Sequence, residues 1–326
     1  MIKIKYLKLL IFILISAVLF IVIVSGLFQK QAGQSYEAIE TEAIRILYQQ
    51  DPREAITYFK TKTIEANFAD CHDVMHKIGE ESFKKYGDFA KVMEYQDPLC
   101  TGYIHGVIQG YFATVKDPNE AIKTVCQKYP QAKFQALLCQ HSVGHVLMYY
   151  SNNDLPKSLE ACSKLASGFD RSACTGGVYM ENFNADPNLH PSQYLKDDDL
   201  FYPCNSFGQY KEQCYIHAPY RFLENNNDDY DSALNWCKQT EEQFRGICIA
   251  GVVAQAAIKN LDEPKFAESI CEKAESKYTG ICIEEIPMVY ISYFASLEKG
   301  KEVCKIFEEE NKSACEKAVT NFSLLF

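Results

Sequence analysis

The sequence predicts an all-α fold: a disulfide-stapled superhelix of α/α hairpins behind one N-terminal transmembrane helix. Three observations predict it. Fourteen cysteines fall on a regular grid. Apolar residues recur at helical three-to-four spacing, with no alternating β pattern. An uncharged apolar run opens the chain, from Leu9 to Phe28.

That run is long enough to cross a bilayer as a helix. Lys3, Lys5 and Lys8 precede it, and no comparable basic density follows, so the N-terminus is expected in the cytoplasm. A cleaved signal peptide is the rival reading. The run exceeds a usual signal core and lacks an A-x-A site, which favours an uncleaved anchor. The expected layout is a basic cytoplasmic tail at 1–8, a signal anchor at 9–28 and an extracytoplasmic repeat domain at 29–326. Paired cysteines agree, because disulfides persist in oxidising compartments.

The array begins with a cysteine-free hairpin at about residues 35–62, where Asp51-Pro52-Arg53-Glu54-Ala55-Ile56 marks the start of its second helix. The same signal returns as Asp117-Pro118, Asp229-Tyr230-Asp231 and Asp262-Glu263-Pro264. Asp accepts from the free amides of a first turn, and Pro suits the first helical position. Each unit therefore reads as a helix A that begins at a cysteine, followed by a helix B with an acidic cap. Cys100, Tyr103, Ile104, Val107, Ile108 and Tyr111 trace the apolar face of one helix A. Segment 182–199 is a loop insertion. Eight hairpins result, with a short terminal helix at 315–326. A repeat of about 34 residues lets each unit bury its face on its neighbours.

From Cys126 onward the cysteines come in pairs 10 to 13 positions apart. Joining each helix B to the next helix A gives Cys126–Cys139, Cys162–Cys174, Cys204–Cys214, Cys237–Cys248, Cys271–Cys282 and Cys304–Cys315. Cys71 and Cys100 are left over and can pair with each other. The other register joins a helix A to its own helix B, as in Cys214–Cys237. Hairpin geometry alone does not choose. Spacing prefers the first register, because gaps in the second run from 22 to 30. No C-x-x-C occurs to suggest a metal thiolate.

The net charge of −10, from 43 acidic and 33 basic residues, argues against a nucleic-acid partner. The 21 Tyr and 20 Phe supply ample core material.

Alternating A and B helices with starts such as Asp117-Pro118-Asn119-Glu120-Ala121-Ile122 resemble the tetratricopeptide and Sel1-like superfamily, in its disulfide-rich secreted form. The resemblance covers residues 35–320 at the level of helix pattern, without the tetratricopeptide consensus. It implies a right-handed superhelix whose concave face is lined by A helices, and it carries over no binding residue.

Chemistry concentrates in the histidines. Five of the seven lie in three successive A helices: His72 and His76, His105, and His141 and His145. The first and last sets are i,i+4 pairs, which present two imidazoles on one helix face. Glu80 extends the first stripe by a turn, and Glu181 follows in the fourth unit. At the same positions later units read Ile249-Ala250-Gly251-Val252 and Ile283-Glu284-Glu285-Ile286, without histidine. Gly102, Gly106, Gly144, Gly176 and Gly177 each cost about 1 kcal/mol inside a helix relative to Ala. They imply close backbone approach or space for a ligand. The competing reading makes the histidines packing residues bonded to carbonyls or tyrosines. His217, two before Pro219, reads as structural at a helix kink. His190 reads as a solvated loop residue.

No phosphate loop, nucleophile elbow, H-E-x-x-H or haem-attachment motif is present. Three functions follow. The first is a membrane-anchored binding or scaffold protein gripping a protein or peptide on its concave face. The second is a metal-binding protein or metalloenzyme. Its ligands would be His72, His76, His105, His141, His145 and Glu181, with Glu80 or Glu181 as candidate catalytic base. Imidazole with carboxylate suits Zn, Fe, Mn or Cu. The third is a purely structural cell-envelope domain.

Overall fold

The computed structural model describes residues 36–63, 71–95, 102–129, 133–185, 191–294 and 296–326. The expected anchor at 9–28 lies outside them, as do Cys100 and His190. Among the described residues no helix is long and apolar enough to cross a membrane.

Among the described residues the regular elements are helices, with no strand. Each expected hairpin is present. The cysteine-free one is α1 (Tyr36–Gln49) with α2 (Pro52–Thr63). There follow α3 (Cys71–Tyr86) with the short α4 (Phe89–Met93), α5 (Gly102–Phe112) with α6 (Pro118–Thr124), and α7 (Phe134–Tyr150) with α8 (Leu155–Ser163). Helix α9 (Gly168–Phe183) is followed by an irregular stretch at 191–210 whose turns carry Cys204. The insertion thus replaces a regular helix B. The last hairpins are α10 (Lys211–Asn225) with α11 (Tyr230–Cys237), α12 (Glu242–Lys259) with α13 (Pro264–Glu272), and α14 (Thr279–Phe294) with α15 (Leu297–Ile306). The terminal helix α16 (Glu309–Ser323) starts earlier than expected and is not short.

The caps explain several of these starts. Asp51, Asp88, Asp154 and Asp229 each accept from the amide three residues on. Pro52, Pro118 and Pro264 open their helices. Asp262 does not cap; Glu263 holds that position without a side-chain bond.

Six disulfides take the neighbouring-hairpin register, with Cα–Cα separations of 5.4 to 5.8 Å. That span is ordinary for the bond. The Cys71–Cys100 pairing falls at Cys100 outside the described residues. One expectation changes. Apart from α3, which begins at Cys71, and α5, which begins at Gly102, the described A helices begin three to six residues before their cysteine rather than at it. The link therefore joins the end of one helix B to the first or second turn of the next helix A, and the connecting turn stays short.

The A helices pack side by side in chain order and bury most of the apolar surface. The array also returns on itself. The Phe134 amide, at the start of α7, donates to the Leu325 carbonyl at 2.7 Å, and the Phe134 ring stacks on Phe326. One face of the A helices is thereby turned inward.

Candidate functional site

Glycine sets how the A helices meet. A Cβ on Gly106 would overlap the carbonyl oxygen of His76, and one on Gly177 that of His141. In α12 a Cβ on Gly251 would overlap the carbonyl of Ile216 in α10. Each of these glycines precedes a valine: Val107, Val178 and Val252. Three pairs, α3/α5, α7/α9 and α10/α12, are therefore one module packed backbone on backbone. Of the two readings of the glycines, close approach is the observed one. The equivalence aligns His76-Lys77-Ile78-Gly79-Glu80 with His141-Ser142-Val143-Gly144-His145. Both glycines also lie against backbone of the partner helix. The cysteine grid conceals this match, because His76 is five residues past its cysteine and His141 only two.

The five predicted histidines converge on the inward face. His72 Nε2 lies 3.2 Å from His105 Nδ1, and His141 Nε2 lies 3.1 Å from His145 Nε2. The His105 ring bridges the two pairs, with centroids 4.8 Å from His72 and 4.7 Å from His145. His76 stands 6.3 Å from His72 and 6.4 Å from His105. Glu181 reaches from α9, its carboxylate 2.7 Å from His145 Nδ1. Glu80 sits on the same stripe but is held by Lys84 and Lys77. Enclosure alone would raise its pKa, yet those two cations lower it.

Sequence reasoning missed one member. His217 lies 6.4 Å from His141, centroid to centroid, so it ends the row rather than serving only a kink. A signal existed. Cys214-Tyr215-Ile216-His217-Ala218-Pro219 recurs as Cys282-Ile283-Glu284-Glu285-Ile286-Pro287. Glu285 thus takes the His217 position in α14, where enclosure raises its carboxyl to about 8.

His76, His141, His145, His217 and Glu285 are deeply surrounded yet keep partial contact with solvent-sized space. Groups from opposite sides also feel one another: Glu181 acts on His76, and Asp73 of α3 on Tyr220 of α10. Burial, reinforced by neighbouring imidazoles, lowers His76 to about 4 and His141, His145 and His217 to about 3. His105, 3% exposed, is also held well below its usual value, by burial first and by the neighbouring imidazoles second. These rings are neutral at pH 7, which is the form that binds metals.

The tautomers matter most. A neutral His145 that donates Nδ1–H to the Glu181 carboxylate keeps its lone pair on Nε2. His141 is favoured in its protonated form by the backbone of Ala173. Its Nδ1 edge is the one turned to α9, against Gly176. With its proton on that edge, its lone pair is also on Nε2. In that pair of tautomers the two nitrogens repel unless a cation lies between them; in the other, one Nε2–H donates to its neighbour across the same 3.1 Å. Carboxylate and carbonyl behind the distal nitrogens are the usual outer partners of metal-binding histidines.

Ring spacing points the same way. Metal–nitrogen bonds of about 2.0–2.1 Å in a tetrahedral site place ring centroids about 5 Å apart. His105, His141 and His145 form a triangle of 4.7, 4.9 and 6.0 Å. Among the described residues, however, no three His, Cys, Asp or Glu side chains converge as a finished coordination shell. The single ready-made ligand set expected from the sequence is corrected to that extent: His105 Nδ1 is turned to His72, so rings and nitrogen pairs converge while a third nitrogen does not. A cleft of about 410 Å³ elsewhere, lined by Asp231, Lys238, Lys273 and Glu275, contains none of these residues. Its charges are partly paired, as Lys273 with Asp231.

No protein-family model, no curated protein and no solved structure matches the chain.

Proposed function

We propose that this protein is an extracytoplasmic helical-repeat protein that binds a transition-metal ion through its interior histidines. The observation that carries the reading is the His141–His145 pair, whose Nε2 atoms lie 3.1 Å apart while the opposite ring edges face the Glu181 carboxylate and α9. Six disulfides suit an oxidising location. On this reading the apolar run at 9–28 tethers the repeats to the outer side of a membrane, and the hairpin pattern places the chain beside the tetratricopeptide and Sel1-like superfamily. Zn, Cu, Fe and Mn all accept imidazole with carboxylate. Glu181 orients His145, and Glu80 is neutralised by lysines, so neither is poised as a free base. Metal binding is thus better supported than catalysis. A concave face gripping a peptide has less support, because its polar groups engage one another.

The test is elemental analysis of the full-length protein purified without chelators, as wild type and as His141→Ala and His145→Ala. Metal in the wild type and loss in both variants is the expected result. Equal metal content in all three ends the proposal.

A further inference from the structure

We infer that the histidine row holds two metal ions side by side, an inference that rests on the metal-binding reading above. The row is too long for one ion. Centroid separations are 6.4 Å from His76 to His105, 6.0 Å from His105 to His141 and 6.4 Å from His141 to His217. Rings that share one ion stand about 5 Å apart at tetrahedral angles. The nitrogens are instead grouped in two pairs, His72 with His105 at 3.2 Å and His141 with His145 at 3.1 Å. Two nitrogens bound to one ion at about 2 Å lie about 3.3 Å apart at tetrahedral angles, so each pair spans one edge of a coordination polyhedron.

The fold accounts for two sites. The module α3/α5 and the module α7/α9 are copies, matched at His76 and His141 and at Gly106 and Gly177. Each copy brings its own imidazoles to the interior. The first supplies His72, His76 and His105, and the second supplies His141 and His145, next to His217. The backbone contact is duplicated but the donors are not residue-for-residue copies: His76 matches His141, whereas His72 matches Leu137, His105 matches Gly176 and His145 matches Glu80. Close packing of α5 on α7 sets the two sites against each other, with His105 on the boundary.

The experiment is titration of metal-stripped full-length protein with Zn²⁺ alone, followed by gel filtration and elemental analysis. Two equivalents per chain are expected for the wild type. One equivalent is expected for His72→Gln and one for His141→Gln, with circular dichroism confirming that each is helical. Saturation of the wild type at one equivalent overturns the second ion and leaves the proposed function standing. No retained Zn²⁺ overturns both. The wild-type stoichiometry decides the matter even where a variant fails to fold.

Discussion

The half of the array from α3 to α10 and the half from α12 to α16 are built by one set of rules with different inward residues. Both are stapled by the same disulfide register, and Gly251 repeats in α12 the backbone contact made by Gly106 and Gly177. Inward positions of the first half hold His72, His76, His105, His141, His145 and His217. In α12 the glycine match puts Ala250, 2% exposed, where α5 has His105. Apolar residues therefore satisfy this architecture. Neutral imidazoles buried side by side are a costly substitute, since each polar edge must find a partner or be desolvated. The difference teaches that the histidines are not needed by the fold, which is the main reason for giving them a ligand.

The largest expected effects fall on what the halves share. Gly106→Val and Gly251→Val should each destabilise by about 3 kcal/mol or more, because a side chain at either site must force two helix backbones apart. Gly280→Ala, where a Cβ meets nothing within 4 Å, should be neutral or slightly stabilising. Denaturant unfolding of the three variants measures this. A tolerated Gly251→Val would show that the second half is not packed by the same rule. Next come the staples. The double change Cys237→Ser with Cys248→Ser should cost about 2–4 kcal/mol, and so should Cys162→Ser with Cys174→Ser. Non-reducing peptide maps should yield Cys237–Cys248; recovery of Cys214–Cys237 would refute the register.

Much of the shared scaffold was legible in the sequence. Asp51 and Asp229 signal helix starts because a short carboxylate beside free amides has few other local roles. Cysteine spacing gave the register because constant gaps report a constant turn. The site was half legible. His72, His76, His105, His141 and His145 stand out by spacing, and Glu181 by its place in the next unit. Their convergence did not, since it depends on how sharply the helices curl, and Gly106 and Gly177 set that only through contacts distant in sequence. His217 was lost for a local reason: Pro219 drew attention to the backbone, and the parallel with Glu285 needs α10 and α14 set side by side. The start of the A helices was misplaced because a cysteine marks the cross-link and not the cap.

A smaller effect separates the halves. His141→Leu with His145→Leu imitates the apolar solution of α12. The variant should lose the ion held by this pair while its metal-free stability changes by less than about 2 kcal/mol, because released Glu181 has access to water. Thermal unfolding of wild type and variant, each stripped of metal, checks this. Unfolding of the variant would mean that the histidine pair is structural, and the contrast between halves would lose its meaning.

The smallest effect concerns the one inward carboxyl in the second half. Enclosure raises Glu285 from the 4.5 of a free Glu to about 8, so it is neutral in the folded protein at pH 7. The unfolded chain ionises there from about pH 4.5 upward. Between these values the folded state holds more protons than the unfolded state, and stability falls as pH rises. The limiting slope for one group is about 1.4 kcal/mol per pH unit. Glu285 is only partly buried, so the loss at pH 8 should be nearer about 1 kcal/mol in total. Glu285→Gln keeps the shape and has no proton to lose. Its stability should match wild type near pH 4.5 and exceed it at pH 8, as read by urea unfolding at the two values. A parallel pH dependence in both proteins would show that Glu285 is ionised and solvated, and that α14 does not turn this position inward as α10 turns His217.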